Sequence, residues 1–74
     1  MEMREFIENF IEQLEDAVEV TPVTNFRELE EWSSLTALNV LMMIDEEYGV
    51  ALPADEMRKT KTVQELFDLV QSKL

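Results

Sequence analysis

The pair Ser33-Ser34 stands where a polar connection gives way to an apolar-periodic run, and it holds the side chains best placed for chemistry in this sequence. The 74 residues include no histidine and no cysteine. The chain therefore has no imidazole base, no thiolate nucleophile and no soft-metal ligand. Its carboxylates show no paired, cleft-forming spacing of the kind that general acid-base work needs. An enzyme is thus the least supported class. If this protein handles reactive groups, it does so through something attached to Ser34.

A serine at the start of a helix has an ordinary explanation, because its oxygen accepts a hydrogen bond from one of the unpaired first-turn amides. One serine of the pair suffices for that, and Ser33 is in the capping position. Ser34 then becomes the first helical residue, with a hydroxyl that the cap does not use and that is free to face solvent. The same position suits a phosphoester, since the free amides and the positive end of the helix dipole favour a phosphate there.

The elements that position this pair are helices. Met3, Phe6, Ile7, Phe10, Ile11, Leu14 and Val18 follow the spacing of a helix with one buried face, which is expected to end near Ala17. Residues 19–32 form a long connection where helical bundles commonly use roughly 2–8 residues. Val20, Val23, Phe26 and Leu29 predict that it is pinned to the core, and a pinned loop that delivers the chain to Ser34 is a functional candidate. A second helix is predicted from Ser34 to Tyr48, with Leu35, Leu38, Leu41 and Tyr48 on one face, Val40, Ile44, Met42 and Met43 widening it, and Gly49 as its stop. Leu52-Pro53-Ala54-Asp55-Glu56-Met57-Arg58 reads as a turn into a short helix, with Pro53 near its first position. Thr62-Val63-Gln64-Glu65 is a capping box before a last helix that buries Val63, Leu66, Phe67 and Val70. The expected fold is all-α: one domain over residues 1–74, a small bundle of three main helices and one short one.

Composition narrows the partners. Seventeen acids against 6 bases give a net charge of −11. Phosphate contacts need Lys and Arg, so nucleic acid is disfavoured, as are anionic membranes. Basic protein surfaces are favoured, although acidity that merely keeps a small domain in solution would look the same. The opening Met1-Glu2-Met3-Arg4-Glu5 lacks the order of a signal peptide, and no apolar run approaches the roughly 20 residues of a membrane span. The expectation is a soluble, cytoplasmic monomer.

Other residues carry weaker signals. Met42 lies two turns beyond Ser34 and divides evenly between a soft partner contact and core filler. Trp32 reads better as a loop anchor than as a stacking platform. Asp45, Glu46 and Glu47 are consecutive on a helix and cannot converge on one metal ion, and Asp55-Glu56 lacks a calcium-loop pattern. Arg58, Lys59 and Lys61 form a basic cluster whose simple explanation is charge balance beside the acidic second helix, with contact to an acidic partner or an attached phosphate as the poorer reading.

Taken together, Trp32-Ser33-Ser34-Leu35, the helix end Ile44-Asp45-Glu46-Glu47-Tyr48-Gly49-Val50, Leu52-Pro53, and Lys61-Thr62-Val63 before a final helix resemble the acyl carrier protein family over nearly the whole chain. That family's signature is Asp-Ser-Leu at the start of the second helix, matched here by Ser34 and Leu35, with Ser33 in the place of the Asp. The resemblance implies 4′-phosphopantetheine, delivered from coenzyme A by a phosphopantetheinyl transferase and attached covalently to Ser34. It implies a carrier of thioester-linked acyl or aminoacyl intermediates for fatty acid, polyketide or nonribosomal peptide synthesis. Sulfur chemistry in a chain without cysteine is then explained by an imported thiol. Leu35, Met42, Asp45, Glu46 and Glu47 become the contacts for basic-surfaced partner enzymes. An alternative keeps the carrier fold without the arm, as an acidic adaptor.

Overall fold

The computed structural model describes residues 1–15 and 19–74. The chain forms helices α1 (Met3–Ile11), α2 (Ser34–Tyr48), α3 (Ala54–Met57) and α4 (Val63–Gln71), with a 3₁₀ turn at Phe26–Glu28. There is no named strand among the described residues, and three long helices with one short one are the predicted all-α bundle. None of these helices is long and apolar enough to cross a membrane.

The apolar face of α1 supplies the centre of the core, since Phe6 and Phe10 are fully buried. Burial of a side chain of this size stabilises the fold by about 1.5–3 kcal/mol. Phe6 meets Phe67 edge-on and Tyr48 at a tilt, which joins α1 to α4 and to the far end of α2. Tyr48 also accepts a hydrogen bond from Asn9 Nδ2 at 3.0 Å, and burial raises its phenol pKa.

α1 stops at Ile11, short of the predicted end. Ala17, and with it the apolar position Val18, lies outside the described residues. The reason for the early stop is local. The amides of Gln13 and Leu14 bond to the carbonyls three residues back, which tightens the last turn, and the Glu15 amide is taken by Glu31 Oε1 at 2.6 Å. Leu14 is buried nonetheless.

The connection to α2 is pinned as expected, with one exception. Val20 and Phe26 are buried and Leu29 packs partly against the core, whereas Val23 is 81% exposed. Thr21 and Thr24 close a turn around it, through Thr24 N–H to Thr21 O and Thr21 N–H to Thr24 Oγ1, and that turn lifts Val23 into solvent. Main-chain bonds fasten the loop to the start of α4: Phe26 N–H to Lys61 O, Val63 N–H to Thr24 O and Gln64 N–H to Pro22 O. Trp32 stacks on Phe10 with the rings 6.0 Å apart and lies 4.7 Å from Phe26, so it is the loop anchor its position suggested.

The buried face of α2 is Val40, Met43 and Ile44. Leu35 and Leu38 are exposed, while Leu41 and Tyr48, expected to share a face with them, are half-buried. Gly49 ends the helix at φ 68°, in the left-handed region where a side chain would be strained. Pro53 is the N-cap of α3, one place before the first helical residue, and Met57 carries that short helix into the core. α4 begins with the predicted capping box of Thr62 and Glu65 and buries Val63, Leu66 and Val70, with Phe67 half-buried.

Candidate functional site

The start of α2 separates the two serines by role. Ser33 is extended, at φ −147° and ψ 174°, and its Oγ accepts the Thr36 amide at 3.2 Å. Thr36 Oγ1 lies 3.2 Å from that hydroxyl and donates to the Glu31 carbonyl at 2.8 Å. Ser33 is thus occupied with the cap, and the network ties α2 to the end of the pinned loop.

Ser34 is the first helical residue and is exposed. Its hydroxyl has no hydrogen-bond partner among the described residues, nor have the amides of Ser34 and Leu35 beside it. A phosphoryl group placed on Ser34 Oγ would displace no protein hydrogen bond and would meet unsatisfied donors at the positive end of a 15-residue helix. The residues present therefore fit a phosphate-linked group.

Ser34 also borders a cavity of about 490 Å³. From α2 come Ala37, Leu38 and Leu41, from α3 and its C-terminal residue come Ala54, Met57 and Arg58, and from the loop come Trp32 and Arg27. Arg27 is held in place, with Nε donating to Thr60 O at 2.7 Å and Nη2 to Met57 O at 3.4 Å. These bonds fix the loop to the turn after α3, so the two sides of the cavity are joined by one side chain.

The expected partner residues lie along α2. Leu35, Leu38 and Met42 are 67%, 52% and 52% exposed and recur at i, i+3 and i+7, so they line one stripe that starts beside Ser34. Asp45, Glu46 and Glu47 are exposed as well. They begin eleven residues after Ser34, about 17 Å along the axis, so they do not converge on the serine. Leu38 and Arg27, which line this cavity, were not singled out from the sequence, and Arg58 was read first as charge balance and only second as a contact for an acidic partner or an arm phosphate. The signal for Leu38 was there: α2 is apolar at positions 35, 38, 40, 41, 42, 43 and 44, more than one buried face can hold. Arg27 gave no signal, because its place depends on main-chain carbonyls some thirty residues away.

The profile of the family described as "Phosphopantetheine attachment site" matches residues 4–70. The chain is 36% identical over 59 residues to an acyl carrier protein of Thermosynechococcus vestitus, covering 80% of this chain and 73% of the relative. It is 40% identical over 55 residues to an acyl carrier protein of Rubrobacter xylanophilus, covering 74% and 68%. With Polyketide-8 synthase acyl carrier protein 2 of Streptomyces avermitilis it shares 32% identity over 73 residues, 99% of this chain and 82% of that one. No solved structure matches the chain.

Proposed function

The chain belongs to the acyl carrier protein family, whose members are non-catalytic carriers that use phosphopantetheine, and from that premise we propose that Ser34 is the attachment residue and that the cargo is held as a thioester. The observation that carries the assignment is the exposed, unpartnered Ser34 hydroxyl at the first position of α2, beside a Ser33 already committed to the cap. When bound, the arm supplies a thiol that this chain lacks. Ser34 Oγ forms the new P–O bond and loses its proton to a base of the transferase, since the chain has no histidine or cysteine to act as one, while the pyrophosphate bond of coenzyme A breaks and adenosine 3′,5′-bisphosphate leaves. The unsatisfied Ser34 and Leu35 amides and the dipole of α2 hold the negative charge placed on Ser34.

The partners in this reading are the phosphopantetheinyl transferase and acyl-processing enzymes with basic surfaces, met by a monomeric carrier in the cytoplasm. Leu35 and Met42, joined by Leu38, offer an apolar stripe to them, and Asp45, Glu46 and Glu47 offer charge farther along the same helix. Long-range attraction from a chain of net charge −11 speeds encounter and makes it sensitive to salt.

The test is intact mass after incubation with coenzyme A and a broad-specificity transferase. Wild type is expected to gain one phosphopantetheinyl group and Ser34→Ala none. A wild-type mass that stays unchanged, or a gain that survives Ser34→Ala, would sink the assignment.

A further inference from the structure

The cavity beside Ser34 has an unexpected charge. The chain carries 17 acids and 6 bases, yet no acid lines this cavity while two of the six bases, Arg27 and Arg58, do. Neither arginine is paired with a carboxylate among the described residues. Arg27 is exposed but oriented, because the Thr60 and Met57 carbonyls accept from its Nε and Nη2. A guanidinium has five N–H donors, so donors remain after those two bonds. Arg58 is exposed at the C-terminal end of α3, and no partner takes its fork among the described residues. Apart from Ser33 and Ser34 at its edge, the rest of the lining is apolar, through Ala37, Leu38, Leu41, Ala54 and Met57 with Trp32. A plain alkyl tail would satisfy those walls and leave two cations without a counter-charge. A tail with an anionic group would satisfy both.

We propose that Arg27 and Arg58 make this cavity a seat for an anionic group tethered at Ser34, either the phosphodiester of the arm or the carboxylate end of a dicarboxylic acyl cargo. This builds on the assignment of Ser34 as the attachment residue. Planar guanidinium forks bind carboxylate and phosphate through paired donors, and the apolar walls reduce the competition from water. Arg27 is the oriented half of the seat and Arg58 the adjustable half.

The test separates the seat from the attachment chemistry. The chain has no cysteine, so Ser34→Cys provides a single thiol for methanethiosulfonate reagents ending in a sulfonate, a neutral ethyl or a trimethylammonium group. The sulfonate-loaded chain is expected to melt about 2–5 °C above the ethyl-loaded one, with no such rise for the ammonium tail. The ¹⁵N–¹H signals of Arg27 and Arg58 Nε should move with the sulfonate alone, and Arg58→Gln should remove the rise. Equal midpoints and unmoved arginine signals for all three tails would overturn the seat. Because no transferase is used, this result stands whether or not wild-type Ser34 gains mass. In enzymatically loaded wild type, arginine shifts on the bare arm identify the phosphodiester as occupant. Shifts confined to a carboxyl-ended cargo, and missing with a methyl-ended one of equal length, identify the carboxylate.

Discussion

The starts of α2 and α4 use the same kind of cap and end up differently. At α4, Thr62 Oγ1 accepts the Glu65 amide at 3.1 Å, while Glu65 Oε1 accepts the amides of Lys61 and Thr62 at 2.7 and 3.1 Å. At α2, Ser33 makes the equivalent bond to Thr36, but Thr36 turns its hydroxyl to the Glu31 carbonyl and the first turn holds no acid. One helix start is closed twice, by its capping box and by the loop carbonyls of Thr24 and Pro22, which accept from the Val63 and Gln64 amides. The other keeps free donors next to an exposed serine. A cap residue by itself therefore does not mark a site; whether the next two amides find a carbonyl tells a structural start from an available one.

The largest expected effect breaks the comparison at the available end. Ser34→Ala should abolish loading entirely, read by mass, and leave the thermal midpoint nearly unchanged, because the hydroxyl holds no protein partner and alanine is at least as good in a helix. A large fall in midpoint would show that Ser34 is part of the architecture.

Next is the closed end. Thr62→Ala removes an oxygen that accepts Glu65 N–H and unseats the reciprocal half of the box, at a place where the loop is also fastened through Phe26 to Lys61 and Val63 to Thr24. The expected loss is about 1–2 kcal/mol by denaturant unfolding. Ser33→Ala should cost less, about 0.5–1 kcal/mol, since its cap accepts from Thr36 alone in the backbone. Equal costs would mean that the reciprocal carboxylate adds nothing and that the contrast between the two ends is only geometric.

The carboxylate can be tested without removing its bonds. The Lys61 and Thr62 amides lower the Glu65 pKa below the ordinary glutamate value of 4.5. A pKa depressed in the folded state gives stability that is present above the unfolded value and is lost as pH falls through the folded one. Glu65→Gln keeps an acceptor and loses the charge. Wild type should therefore be modestly more stable than Glu65→Gln near neutrality, with the gap closing as pH drops below 4.5. A gap that stays constant down to low pH would remove the charge from the explanation of the closed start.

The contrast also shows what sequence could and could not disclose. Periodicity was enough for α2 and α4, and the Thr62 to Glu65 spacing gave the capping box, because these rest on neighbours within one or two turns. The long loop was legible as pinned from Val20, Phe26 and Leu29. Its misreading, Val23, followed from a local threonine turn that apolar content does not reveal. The tightened turn that ends α1 is local, but the Glu15 amide beyond it is taken by Glu31, sixteen residues on, and Arg27 was placed by carbonyls at residues 57 and 60. Leu35 and Leu38 were expected to share a face with Leu41 and Tyr48, and hydrophobicity alone does not say which of several apolar stripes faces the core. For Glu15 and Arg27 the deciding partner is distant in sequence, so no local pattern carries it.

The smallest expected effect tests the position where this chain differs from the family signature. Ser33→Asp keeps an N-cap oxygen for the Thr36 amide and adds a negative charge at the positive end of α2, an interaction of about 0.3–1 kcal/mol. Opposing it, the new charge joins a chain already at −11, and Thr36 Oγ1, now 3.2 Å from a hydroxyl, gains a carboxylate that competes with the Glu31 carbonyl for its proton. The unmodified variant should thus melt at the wild-type temperature or a few degrees above it. After loading, the introduced carboxylate and the phosphate on Ser34 would share the same helix end and repel, so the gain should shrink in the modified form. The useful quantity is the difference between the Ser33→Asp effects in the unmodified and loaded proteins. A smaller gain after loading would place the phosphate at the start of α2, and equal gains would put it beyond the reach of that helix end.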